Sequence, residues 1–166
     1  MLIGDKSAFA IECEIRDRSD SFTYCNFRFW IAGAPIGDWD EQTVLGVLVH
    51  SATVIMRYQS NRHLAQANSM NTGALWHHID RFANSDDPED QRIGLEERYR
   101  QRFLLHELAD DSVGRKFEVI IVDCADGTQR LLWKSRNSNV VKEIRLPELS
   151  IDKIVGDFLL WAGSFS

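Results

Sequence analysis

The sequence lacks the glycine signatures of nucleotide chemistry: it has no Gly-x-Gly-x-x-Gly turn and no phosphate-binding loop. No Gly-x-Ser-x-Gly elbow occurs either, which removes the usual hydrolase nucleophile. The five histidines, His50, His63, His77, His78 and His106, include no pair at the i, i+4 spacing that sets two metal ligands on one helix face. Cysteine is scarce and unpaired by pattern. Cys13, Cys25 and Cys124 are odd in number and form no Cys-x-x-Cys, which argues for a reducing compartment and against a disulfide framework. Cys13 and Cys124 have no adjacent base to make a thiolate. Long apolar runs are missing too. The longest, 44–56, is broken by His50, Ser51 and Thr53 and is too short for a bilayer. The opening Met1-Leu2-Ile3-Gly4-Asp5-Lys6 lacks the basic region and apolar run of a secretion signal, so a cytoplasmic location is expected. Base is in deficit: 19 Lys and Arg against 25 Asp and Glu give −6, which speaks against nucleic acid as partner. No cofactor and no membrane partner are expected.

What is present is an ordinary globular composition, 44% apolar and 27% charged over 166 residues. That length fits one domain, 1–166, with a core burying roughly 70% of the unfolded surface. Phe9, Ile11, Cys13 and Ile15 alternate with Ala10, Glu12, Glu14 and Arg16, and after a polar break Phe22 to Ile31 alternates again. The period of two predicts a half-buried hairpin. A turn centred on Ser19 would set Ile15 opposite Thr23, Cys13 opposite Cys25, Ile11 opposite Phe27 and Phe9 opposite Phe29. Two buried thiols acting as small apolar groups are then expected at Cys13 and Cys25.

Glu41 to Tyr58 carries Val44, Leu45, Leu48, Ala52, Ile55 and Met56 at helical spacing, with Asp38 and Asp40 as N-cap candidates. A shorter helix is read at Gly73–Ala83. Another runs from near Pro88 to Arg98, and a strand follows to Leu108. Phe117 to Val122 is a nearly continuous apolar run, Asp126-Gly127 marks a hairpin, and Thr128–Lys134 and Asn139–Leu146 read as strands. Ser150 would cap a last helix to Ala162, striped by Ile151, Ile154, Val155, Phe158 and Leu159. Short turns favour antiparallel pairing. The fold class is therefore α+β: an antiparallel sheet formed by N-terminal and C-terminal hairpin regions, packed on helices near 41–58 and 150–162.

No constellation here demands catalysis. His77 and Asp80, at i, i+3, could share a helix face, but a surface helix with a hydrogen-bonded histidine accounts for them. Asp38, Asp40 and Glu41 could hold a divalent cation through oxygen, but helix capping accounts for these as well. No catalytic residue is assigned. The chain reads as a binding module. Residues 84–111 hold nine acids and four bases, a net −5, which favours a basic partner. The candidate contact residues are Asp86, Asp87, Glu89 and Asp90, with Trp39 and Trp76 as exposed aromatics.

Three segments carry a resemblance. They are the opening from Met1 to Glu12, the aromatic strand Phe29-Trp30-Ile31 running into the Gly-x-x-x-Gly-Asp loop Gly33-Ala34-Pro35-Ile36-Gly37-Asp38, and Arg130-Leu131-Leu132-Trp133 with Val140-Val141-Lys142-Glu143-Ile144 behind it. Their order resembles immunity protein family 42 of bacterial polymorphic toxin systems. The resemblance implies a cytoplasmic protein that neutralises a cognate toxin by stoichiometric occlusion, with no catalytic residue to carry over. The acid-rich stretch would suit a basic, nuclease-like toxin. The competing reading is a non-catalytic small-molecule-binding or housekeeping domain of similar fold.

Overall fold

The computed structural model describes residues 1–19 and 21–165, with Asp110 and Asp111 described in backbone only. The N-terminal half builds a sheet of β1 (Leu2–Gly4), β2 (Phe9–Arg18), β3 (Thr23–Ile31), β4 (Ala34–Ile36) and β5 (Gln42–Val44). β2 and β3 form its centre. β4 and β5 share the far edge of β3, pairing with Phe29–Ile31 and Tyr24–Asn26 respectively. The alternation places Phe9, Ile11, Cys13, Cys25, Phe27, Phe29 and Ile31 in the core as expected. The register differs. Ile15 faces Cys25, Cys13 faces Phe27, Ile11 faces Phe29 and Phe9 faces Ile31. Ser19 N–H donates to the Phe22 carbonyl at 2.8 Å at the hairpin end, and a bulge lies between Ile15 and Asp17. Together they slide the pairing by two residues. Because side chains repeat every two residues, the slide leaves each on its expected face. Cys13 and Cys25 become diagonal neighbours, both free and buried.

The helix expected from Glu41 begins later, as α1 (Leu45–Arg57). The residues before it pair as strand β5 instead, and the N-cap is Val44, which offers no side-chain acceptor. Asp38 and Asp40 therefore cap nothing. Three further helices follow: α2 (Thr72–Asn84), α3 (Pro88–Glu96) and the short α4 (Tyr99–Phe103). The strand expected up to Leu108 is absent; a 3-10 turn, Leu105–Leu108, follows α4, and α5 (Asp110–Gly114) comes next. Only Leu104 makes a bridge, to Ile120. His106 takes over the edge nearby, its Nδ1 accepting from the Val119 N–H at 3.0 Å.

β6 (Phe117–Asp123), β7 (Thr128–Ser135) and β8 (Lys142–Pro147) form a meander. The Asp126-Gly127 turn works as expected, with Gly127 in the left-handed region at φ 75°. The meander is a sheet of its own, so the α+β class holds while the two hairpin regions remain apart. The continuous apolar run of β6 explains this, since both faces must be covered. Val119, Ile121, Leu131 and Trp133 join the core shared by the large sheet, α1 and α6 (Ser150–Ala162). Ile120, Val122 and Leu132 carry a second core with Leu64, Leu75, Trp76, Ile79, Tyr99 and Phe103. α6 spans its expected residues, but Ser150 is not its cap. The N-cap position is Leu149, and the Gln129 side chain of β7 accepts from the Ile151 N–H at 2.9 Å.

Two buried arginines fasten the irregular segment between α1 and α2. The Arg62 guanidinium binds the Asp152 carboxylate, and both side chains are nearly sealed from solvent. Arg130 donates to the carbonyls of Ala67 and Met70 and, at 2.6 Å, to Glu143, which also accepts from Thr72 at 2.6 Å. Among the described residues no helix is long and apolar enough to cross a membrane.

Candidate partner-binding surface

Asp87 caps α3, its Oδ1 accepting from the N–H groups of Glu89 (3.0 Å) and Asp90 (3.1 Å). Pro88 at the first turn and the acids Glu89 and Asp90 suit the helix dipole there. α3 lies hard against α2: a Cβ on Gly94 would sit 1.8 Å from the Phe82 carbonyl oxygen. The acids divide by exposure. Asp86, Asp87 and Glu89 are exposed. Asp90 is only 6% exposed and is held by Arg81 Nε at 2.7 Å. That hydrogen bond keeps its carboxyl below the usual carboxylate range. Arg92 bridges Glu89 (2.6 Å) and Glu96 (2.7 Å), while Glu97 and Glu107 pair with Arg102 and Arg100. Arginines thus fix most of these carboxylates in place, and the surplus negative charge gathers at the N-terminal end of α3.

The two tryptophans part company. Trp76, expected to be exposed, is 5% exposed in the second core, with Lys134 Nζ 4.8 Å from its ring. It falls on the inward stripe of α2 with Leu75 and Ile79, and that apolar spacing outweighs the polar residues around it. Trp39 is half-buried on the loop between β4 and β5. The loop is tied down by Asp38, whose N–H donates to the Ser112 carbonyl at 2.7 Å and whose carboxylate binds Lys116. Glu41 pairs with Arg115 at 3.1 Å. Of the acids weighed as cation ligands, Asp38 and Glu41 thus have protein counter-ions.

Trp39 is one end of a row that the sequence reading missed. Arg28 lies between Trp39 and Trp30, its guanidinium carbon 4.5 and 4.8 Å from the two rings. Lys6 Nζ sits 4.0 Å over Trp30. Glu12, directly across from Arg28 in the ladder, accepts from Arg28 Nε and from the Trp30 indole N–H with one oxygen, both at 2.7 Å. Burial alone would push the Glu12 carboxyl up, but these two hydrogen bonds outweigh it and hold it below its ordinary range. The row lies on the outward face of the large sheet, and neither apolar core includes an outward side chain of β2 or β3. The signal available in the sequence was a tryptophan at the polar parity of an alternating strand, with a base two residues before it.

His77 is exposed and Asp80 accepts from Asn84 at 2.8 Å, so the i, i+3 spacing does not bring this pair together. His78 packs edge-on against Phe82, with burial and then Arg81 pushing its pKa down. Elsewhere an open apolar groove of about 560 Å³ runs between the start of α1 and the end of α6, lined by Phe22, Val47, His50, Leu159 and Phe165 among others.

The family model described as Immunity protein 42 matches residues 1–161. Among solved structures, the crystal structure of CdiI from Burkholderia dolosa AUO158 is similar to this chain. The TM-score is 0.70 at 17% sequence identity, over 96% of this chain and 99% of that one. At that identity the likeness concerns the fold. No curated protein matches the chain in sequence.

Proposed function

Because the chain belongs to the Immunity protein 42 family, we propose that it is an immunity protein, working as one domain, that binds a cognate toxin in the cytoplasm. It neutralises the toxin by stoichiometric occlusion, a complementary surface covering the groups the toxin needs, and turns over no substrate. The observation that carries the reading is the family match over residues 1–161, nearly the whole chain.

The toxin is read as basic and nuclease-like. Asp86, Asp87 and Glu89 stand exposed around the start of α3, where a negative field would draw a cationic domain and raise its association rate. Asp90 and Trp76 serve this surface from beneath, one holding α3 to Arg81 and the other filling the core under α2. Trp39 offers a half-exposed aromatic contact.

The test is growth rescue. The toxin domain encoded at the end of the large gene expected immediately upstream is expressed with and without this chain, and the purified pair is titrated for stoichiometry. Protection with one-to-one binding is expected. Growth arrest that the chain does not relieve would overturn the reading. A small molecule retained in the apolar groove through purification would favour a ligand-binding domain instead.

A further inference from the structure

We propose that the toxin anchors on the outward face of the large sheet, by placing a carboxylate-bearing loop on Arg28 between Trp30 and Trp39. The proposal rests on the immunity reading and adds the docking face and the chemistry of the group that meets it.

Hydrogen-bond supply comes first. Arg28 donates from Nε to Glu12, and its two terminal nitrogens have no partner among the described residues. Those two donors are the fork that takes a carboxylate in two parallel hydrogen bonds. Arg28 retains 22% of its side-chain surface, so the fork is reachable without unfolding the sheet. The row therefore has polar capacity that its own fold does not use.

Charge points the same way. Two cations, Lys6 and Arg28, share the single carboxylate Glu12. The neighbouring Glu14 is bound to Arg16 at 2.9 Å. In a chain of net charge −6, Lys6, Arg16 and Arg28 here face, among the described residues, only the carboxylates Glu12 and Glu14 across the β2–β3 pair. An acidic group is attracted here, whereas a basic one meets Lys6 and Arg28.

The row is also preorganised. Glu12 fixes both Arg28 and Trp30 through one oxygen, and the loop carrying Trp39 is bonded to Ser112 and Lys116. Rigid tryptophan and arginine are the side chains that most often dominate a protein interface, and little entropy is left for them to lose. The two surfaces then divide the work: the acidic end of α3 speeds encounter with a basic toxin, and the Arg28 row sets how long the complex lasts.

The test uses the full chain and the toxin domain encoded upstream. Arg28→Gln and Trp39→Ala should each weaken binding about 30-fold, mostly through faster dissociation. Arg28→Lys, which keeps charge but loses the fork, should recover only part of the loss. In the ¹⁵N-labelled protein the Trp30 indole N–H resonance should shift on titration with toxin. Changing the toxin's acidic residues to amides, in the loop protected from hydrogen exchange, should reproduce the Arg28→Gln loss and not add to it. Should Arg28→Gln fail to fold, Trp39→Ala on its loop and the Trp30 resonance decide the matter. An unaltered protein that binds, with Trp39→Ala within about twofold of it and an unmoved Trp30 resonance, overturns this docking face and leaves the immunity reading standing. An unaltered protein that neither binds nor protects overturns both.

Discussion

Arg28 and Arg130 occupy like positions in the two sheets, each on a middle strand and each tied to a glutamate of the neighbouring strand. Their surroundings differ. Arg130 is 1% exposed, and its terminal nitrogens are used on Ala67, Met70 and Glu143. Among the described residues Arg28 hydrogen-bonds through Nε alone, and its terminal nitrogens have no partner. One guanidinium fastens a loop to a sheet, while the other is presented by a sheet. The lesson is that a strand arginine with a carboxylate partner has no fixed role. What decides it is how many of its five donors the fold consumes.

Breaking the buried member should do most. Arg130→Met leaves Glu143 short of its partner and two carbonyls without donors, and should cost about 3–5 kcal/mol in urea unfolding. The same experiment on Arg28→Gln should cost at most about 1 kcal/mol, because the pair is partly exposed and screened. Similar losses from both would dissolve the contrast.

A second difference should show in acid. His106, which holds the small sheet's edge at Val119, has its pKa pushed below the ordinary 6.5 by burial. The unfolded chain then binds more protons than the folded one, so this contribution to stability is full above the ordinary value and is lost as pH falls from there toward the lower folded-state pKa. Denaturation midpoints across this range should drop toward acid, and His106→Gln should flatten the slope. His78, shifted the same way by burial, adds to the slope. The Arg28 row contains no histidine, and toxin binding should not follow that slope.

The smallest effect is expected at α3. Reversing Asp86 and Glu89 together, with the α3 cap Asp87 kept, should leave the unfolding midpoint nearly unchanged while slowing toxin association several-fold and flattening its salt dependence. Asp90 is kept out of that variant, since its loss would free Arg81 and loosen α3 from α2.

Much of the fold could be read along the chain. The faces of β2 and β3, the run of β6, the Asp126-Gly127 turn and the extent of α6 depend on neighbours two to four residues away, where period and turn chemistry act. Of the candidate surface, the exposed acids and Trp39 were legible from composition and a loop signal. Trp76 was misjudged because its polar neighbours hid a helical stripe. The Glu12–Arg28–Trp30 row lay unread because its members are separate in sequence and meet only across the ladder.

The amino-acid order by itself determined which side chains of β2, β3 and α6 point inward, where most helices and strands lie, and that the chain carries the family's pattern. Only the tertiary structure decided the strand register, the division into two sheets, the capping of α6 by Gln129 and the fate of each arginine. The physical reason is distance along the chain. Arg62 meets Asp152 across 90 residues and Arg130 meets Ala67 across 63. No local preference specifies such pairs; a guanidinium enters the core only where carboxylates or carbonyls from distant parts of the chain are buried with it.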